Sequence, residues 1–270
     1  MEGAETRSAQ NAFPERPFMK TKFAAAILAF LIGSWSHCAG SVVSPAVRES
    51  IGLSIRGKGL EISRIAYGQS RFVAVGQTGL ILNSPDGRVW RQVQSGTIAS
   101  LRAIAFGEGL FVAVGNFGII LTSPDGIRWT ERGLKESSCL ADVTRGKRLF
   151  VAVGENGGIV TSADGLTWTK RASGTSARLC SVTFGRDQFV AVGTGGTILH
   201  SKNARAWTRR YSGSSRDLKR ITFEQDQFVI AASKGFRLIS ADGHSWVERN
   251  FDSLETVTGA VEVPPKTTRP

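Results

Sequence analysis

Three kinds of residue in this chain stand at spacings that could do chemistry. A serine and a carboxylate two positions apart recur as Ser84 and Asp86, Ser123 and Asp125, Ser162 and Asp164, and Ser240 and Asp242. Each pair is followed by a glycine and closed by a tryptophan, Trp90, Trp129, Trp168 or Trp246. Such a pair can accept hydrogen bonds from backbone amides in a tight turn. It could also approach calcium, but that ion needs about six to eight oxygens and one carboxylate per turn falls far short, so the turn reading is the stronger. The second kind is basic: Arg64, Arg102, Arg178, Arg216, Lys219 and Arg220 lie at or just before recurrent apolar runs, diluted by Glu61, Asp142 and Asp217. In a chain of net charge +12 they predict a basic mouth suited to an anionic glycan, a phospholipid head or an acidic protein, with ordinary solvated charges as the plain alternative. The third kind is the pair Cys139 and Cys180, either a disulfide or two buried thiols. His200 and His244 belong to different repeats and stand in no metal-ligand spacing, so no metal and no cofactor is expected.

What must position these residues is a repeat. Phe72, Phe111, Phe150, Phe189 and Phe228 follow one another at intervals of 39 residues, and so do Trp90, Trp129, Trp168, Trp207 and Trp246. Each unit reads as four short strands. The first runs Ile62 to Tyr67 and recurs from Leu101, Leu140, Leu179 and Leu218; the second is Phe72 to Val75; the third is Leu80 to Asn83; the fourth starts at the Trp. No unit holds ten residues of 3.6-fold patterning free of glycine, which excludes helical solenoids. The second strands are apolar at every position, which predicts cover on both faces. Four short strands at a period near 40 predict an all-β propeller of five blades over residues 62–256. Gly76, Gly115, Gly154 and Gly193 end the second strand and Gly79, Gly118, Gly157, Gly196 and Gly235 open the third; this short connection is expected to need positive φ, and Ala232 should alter that turn in the fifth unit. Either five blades close directly, or residues 41–61 and 257–270 combine into a sixth, incomplete blade that hides open edges.

The sequence Ser84-Pro85-Asp86-Gly87-Arg88-Val89-Trp90 and its copies resemble the Asp-box, or BNR repeat, of sialidase-like propellers, shortened by one residue between Asp and Gly. That resemblance implies a turn at the blade periphery, away from any active centre. The fourth copy has Asn203 for Asp and Ala204 for Gly, so it should be the loosest of the five. Sialidase chemistry would need an arginine cluster, an acid/base carboxylate and an activated tyrosine. Only Tyr67 and Tyr211 exist, Tyr67 takes a position filled elsewhere by Phe106 and Phe184, and the segment Phe236-Arg237-Leu238-Ile239 lacks the proline of the sialidase signature. The expectation is therefore a non-enzymatic binding or interaction scaffold, with a glycan-active enzyme as one alternative. The repeat pattern also resembles photosystem II assembly propellers, which implies an assembly factor for a membrane complex as another.

An apolar fraction of 41% suits a globular chain. Residues 1–40 read as an extension followed by a signal peptide: Met19 is the expected start, and Lys20 and Lys22 precede the apolar run from Phe23 to Gly33. That run is far shorter than the ~20 residues a membrane span needs. Lipid anchoring at Cys38 is disfavoured by Trp35, Ser36 and His37 ahead of it. The reading is an exported monomer, periplasmic or secreted, with no nucleic-acid partner.

Overall fold

The computed structural model describes residues 61–133 and 138–250. Within them the chain forms five four-stranded antiparallel sheets and no α-helix. The first blade is β1 (Ile62–Gly68), β2 (Arg71–Gly76), β3 (Ile81–Ser84) and β4 (Arg91–Val93), in that spatial order. The second is β5 (Leu101–Gly107), β6 (Leu110–Gly115), β7 (Ile120–Ser123) and β8 (Thr130–Glu131). The third is β9 (Leu140–Gly146), β10 (Leu149–Gly154), β11 (Ile159–Ser162) and β12 (Thr169–Arg171). The fourth is β13 (Leu179–Gly185), β14 (Gln188–Gly193), β15 (Ile198–Ser201) and β16 (Thr208–Arg210). The fifth is β17 (Leu218–Glu224), β18 (Gln227–Ala232), β19 (Phe236–Ser240) and β20 (Val247–Asn250). First strands pack in succession, β1 on β5, β5 on β9, β9 on β13 and β13 on β17, so the sheets stand as blades around an axis. The described residues thus form five blades of a β-propeller. The sixth-blade segments 41–60 and 257–270, the signal-like run and Cys38 lie outside the described residues.

In blades one to four the all-apolar second strands are covered on both faces, as expected; in blade five Val229 is half-buried and Ala231 exposed. Val73 and Val75 point forward onto the next blade, where they meet Ile104, Phe111 and Ala113; the alternate residues point back, as Phe150 and Ala152 do onto Ala103, Ala105 and Val112. All of these are almost wholly buried. Each Phe lies 6.4 Å from its Trp in blades one, two, three and five, so one aromatic pair pins the inner sheet to the outer turn. On the strand before, Tyr67, Phe106, Phe184 and Phe223 stack on the same Phe at 4.6–4.8 Å. Blade three has Arg145 there instead. Its guanidinium sits 5.1 Å over Phe150 and reaches Glu108 of blade two at 2.8 Å, so a cation does the packing work of an aromatic ring.

The glycine expectation holds for Gly79, Gly118, Gly157, Gly196 and Gly235, which have positive φ, and needs correcting for the glycines that end the second strands. Gly76, Gly115, Gly154 and Gly193 have φ between −161° and −171°, which is ordinary extended backbone. They are glycine because a Cβ would lie 2.0–2.2 Å from the carbonyl oxygen of Glu61, Ser100, Cys139 or Arg178. Those carbonyls accept the amide of the residue after each glycine, at 2.9–3.1 Å. Ala232 does alter the turn: its φ is −117° and the matching bond from Ser233 to Asp217 stretches to 3.4 Å. Positive φ falls two and three residues later, on Thr78, Phe117, Asn156 or Gly195 and then on Gly79, Gly118, Gly157 or Gly196, in a three-residue 3-10 turn.

The ring therefore has two unlike ends. One carries the 3-10 turns, the connections between blades and the beginnings of the first strands. The other carries the hairpins between first and second strands together with the Ser-x-Asp-Gly turns.

Candidate functional site

At the hairpin end the Ser-x-Asp-Gly turn closes through local bonds. In blade three the Ser162 hydroxyl accepts the Gly165 amide at 2.7 Å and donates to Asp164 at 2.9 Å, while Asp164 Oδ1 accepts the amides of Leu166 and Thr167 at 2.8 Å. Blades one, two and five repeat this with Ser84 and Asp86, Ser123 and Asp125, and Ser240 and Asp242. The Trp90 and Trp168 indoles donate to the carbonyls of Gly87 and Gly165 at 3.0 Å. In the fourth copy the Ser201 to Asn203 and Trp207 to Ala204 bonds lengthen to 3.3 Å, and Ala204 is held at φ 57°. Two bonds of that turn are thus longer than in the other copies, while the Ala204 methyl is buried in the seam between blades three and four.

The amides set the acidity of these turns. The amides of Thr167 and Leu166, then the Ser162 hydroxyl, hold Asp164 down to about 2. For Asp242 the amides of Ser245 and His244 likewise lower the carboxyl; for Asp86 and Asp125 burial pushes upward, and the amides and the serine together outweigh it. A carboxyl depressed in the fold contributes stability that is present above its ordinary value near ~3.9 and is lost as pH falls through the folded one. Urea midpoints are thus expected to hold above about pH 4 and to fall steadily below it. Asp164→Asn should flatten that slope, because it removes one of the four titrating turns.

Charges on the hairpin end also pair from blade to blade. Arg145 and Arg148 meet Glu108 at 2.8 and 3.7 Å, Lys147 meets Asp187 at 2.7 Å, and Arg186 pairs with Asp226. The opposite end is different. The six basic residues singled out in the sequence all lie there, and the structure divides them into two sets. Arg102, Arg178, Arg216 and Lys219 are exposed on the rim. Arg102 donates to Asn116 Oδ1 at 2.9 Å, Arg216 lies 4.6 Å over the Phe236 ring, and Lys219 meets Asp217 at 3.0 Å. Exposed apolar side chains stand on the same end: Ile98 is 90% exposed, Phe117 70% and Tyr211 88%.

The other two, Arg64 and Arg220, share one repeat position with Ala103, Asp142 and Ser181 on the first strands. Asp142 is buried, accepting the Ser181 hydroxyl at 2.6 Å and the amides of Val143 and Val182 at 3.0 and 3.1 Å. Burial, and then the charge of Arg64, lower Arg220 to about 10, while Asp142 and Glu224 oppose that shift. Arg220 on β17 thus senses the charges of Arg64 on β1 and Asp142 on β9.

Two grooves recur at the same repeat position beside this rim. One of about 440 Å³ in blade three lies between Glu155–Ile159 and Lys170–Thr175. Its counterpart of about 310 Å³ in blade four lies between Gly195 and Gly196 on one side and Arg209–Ser212 on the other. Both are floored by a Ser-Gly-Thr or Ser-Gly-Ser connection whose serine accepts the amide two residues on. Sequence reasoning passed over this connection, although its recurrence at Ser95, Ser173 and Ser212 was there to be read.

Cys139 and Cys180 are separate, half-buried thiols, not a disulfide. They stand two repeat positions apart, and two steps along a strand displace a side chain by about 6.6 Å. His200 and His244, placed in separate repeats by the sequence, meet across the seam of blades four and five with ring centroids 4.5 Å apart. Burial, then Arg210 and His244, hold His200 below its ordinary value. Among the described residues no group of three His, Cys, Asp or Glu side chains could hold a metal ion, and no helix is long and apolar enough to cross a membrane. Tyr67 packs on Phe72 in the blade core.

No protein-family model matches the chain, and no curated protein matches it. Solved propellers do resemble it. A structure of YCF48 bound to a D1 peptide superposes with a TM-score of 0.56 at 16% identity, covering 72% of this chain and 71% of that one. YCF48 from Cyanidioschyzon merolae gives 0.50 at 15%, over 73% and 87% of the two chains. The WD40 propeller domain of Doa1 gives 0.53 at 11%, over 68% and 66%. At these identities the likeness is one of fold, and the fold it shares is the β-propeller.

Proposed function

We propose that this chain is an exported, non-enzymatic interaction scaffold that receives an anionic protein segment on the end of the ring bearing the 3-10 turns. The observation that carries the proposal is the difference between the two ends. Charges at the hairpin end are matched blade to blade, whereas the other end presents Arg102, Arg178 and Arg216 beside exposed Ile98, Phe117 and Tyr211. Arginine and aromatic side chains are the residue types that anchor protein interfaces. Export rests on the signal-like run after Met19, and the Ser-x-Asp-Gly-x-x-Trp turns are read as shortened Asp-boxes with a structural role. An assembly role is the second reading, favoured by the likeness to a propeller solved with a bound peptide.

Fluorescence anisotropy with labelled poly-glutamate at fixed salt tests the main reading. Charge reversal at Arg102 and Arg178 should weaken binding at least about tenfold and lower its salt dependence. Reversal at Arg148 and Arg186, on the hairpin end, should leave binding unchanged. Equal losses from both pairs would show only a general response to net charge and would end the proposal.

A further inference from the structure

Blade five differs from the other four on the face it turns forward. In blades one to four that face is sealed: Val73, Val112, Val151 and Val190 are 0% exposed, and Ile81, Ile120, Ile159 and Ile198 at most 1%. In blade five the corresponding Val229 and Arg237 are half-buried and Ala231 is exposed. The residues themselves have also changed. Thr222, Val229, Ile239 and Val247 are successive cross-strand partners, so they form one row over β17, β18, β19 and β20. Its outer half is Ile239 and Val247, where the other blades carry Asn83 and Arg91, Thr122 and Thr130, Thr161 and Thr169, or His200 and Thr208. Val247 is 61% exposed. A second row, Arg220, Ala231, Arg237 and Arg249, runs beside it in the same way, and Arg237 stands where every other blade has isoleucine.

We propose that residues 251–263 of this same chain dock on the forward face of blade five. An apolar row flanked by arginines asks for an occupant that is apolar and acidic. That segment holds Phe251, Leu254, Val257, Val261 and Val263 together with Asp252, Glu255 and Glu262, and neither lysine nor arginine. It follows directly on β20, so it meets the face at a high effective concentration. Thirteen residues span up to about 43 Å extended, enough to turn back over a four-stranded sheet about 15 Å wide. Residues 41–60, the segment that leads into β1, carry Arg48, Arg56 and Lys58 against Glu49 alone, so they would set like charges against the arginine row. A second copy docking by this same face would do so too.

The test uses the full chain with a benzophenone amino acid in place of Ala231, irradiated and read by peptide mass spectrometry. Crosslinks into residues 251–263 are the expected result. Crosslinks into residues 41–60, a crosslinked dimer, or no crosslink at all would each overturn the proposal. Should the bulky group prevent folding, hydrogen exchange on the full-length Glu255→Lys, Glu262→Lys chain decides instead. Amides of β18 and β19 should lose at least about tenfold protection while those of β10 keep theirs, and unchanged protection in blade five would sink the idea.

Discussion

Gly157→Ala is expected to lower stability by about 2–4 kcal/mol, against ~1 kcal/mol for Gly174→Ala on the facing connection. Both glycines have positive φ, +66° and +72°, so the backbone cost of adding a methyl is alike. Their surroundings are not. A Cβ on Gly157 would lie 1.9 Å from the Thr175 carbonyl oxygen and 2.6 Å from Ser173 Oγ, and one on Gly174 meets nothing within 4 Å. The obstacle at Gly157 is backbone that is itself fixed, since Ser173 donates to the Thr175 carbonyl and Thr175 Oγ1 accepts the Ala177 amide. The Gly157 amide in turn donates to Ala177 at 2.9 Å, so relief by moving either strand breaks a bond that ties blade three to the connection leading into blade four. For a domain of this size the larger loss corresponds to roughly 5–15 °C in Tm. Paired thermal melts of the two variants check it, and equal shifts would mean that strain alone, without the steric conflict, accounts for the glycine.

Those glycines show how far the sequence could be read. The fold was legible because an interval of 39 residues repeats the same Phe, Ser and Trp, and because, with no helical pattern to supply cover, stacked sheets are what bury both faces of a strand that is apolar at every position. The positive φ of Gly79 and its copies was legible, but the reason for Gly76 and its copies was not, because a glycine at a turn looks the same whether it takes a positive φ or avoids a carbonyl 2 Å away. The basic residues were found at the correct end of the ring, but not their division into rim and axis. Each first strand shifts register near its start, in blade one between Ile62 and Arg64, and an extra residue reverses which face the following side chains take. Counting alternate positions from Ile62 cannot recover that. Ala232 was read as a departure from the repeat and Arg237 was not, although isoleucine stands there in the other four units; what they mean depends on the neighbouring surface, which one repeat cannot describe. The contact of His200 with His244 was hidden for the same reason, since it crosses a seam.

Truncating Phe150 to alanine should cost about 3–5 kcal/mol, the range for losing a fully buried aromatic ring, and the loss should be confined to part of the ring. Phe150 is 0% exposed, faces back onto Ala103, Ala105 and Val112 of blade two, and stands 6.4 Å from Trp168. Arg145 lies over its ring, and a Cβ added to Gly165 of the Ser-x-Asp-Gly turn would lie 3.5 Å from it, so three separate features lose their support together. The neighbours of Phe150 on β10, Val151 and Val153, point the other way and join the cluster shared with blade four. Each blade in such an array contacts only the next, so stability is close to a sum of unit and interface contributions. Hydrogen exchange should therefore quicken in β5, β6, β9 and the turn at Asp164, and change little in β17 and β19 of blade five. Equal quickening in all five sheets would mean that the ring opens as one cooperative unit, and the nearest-neighbour account would fail.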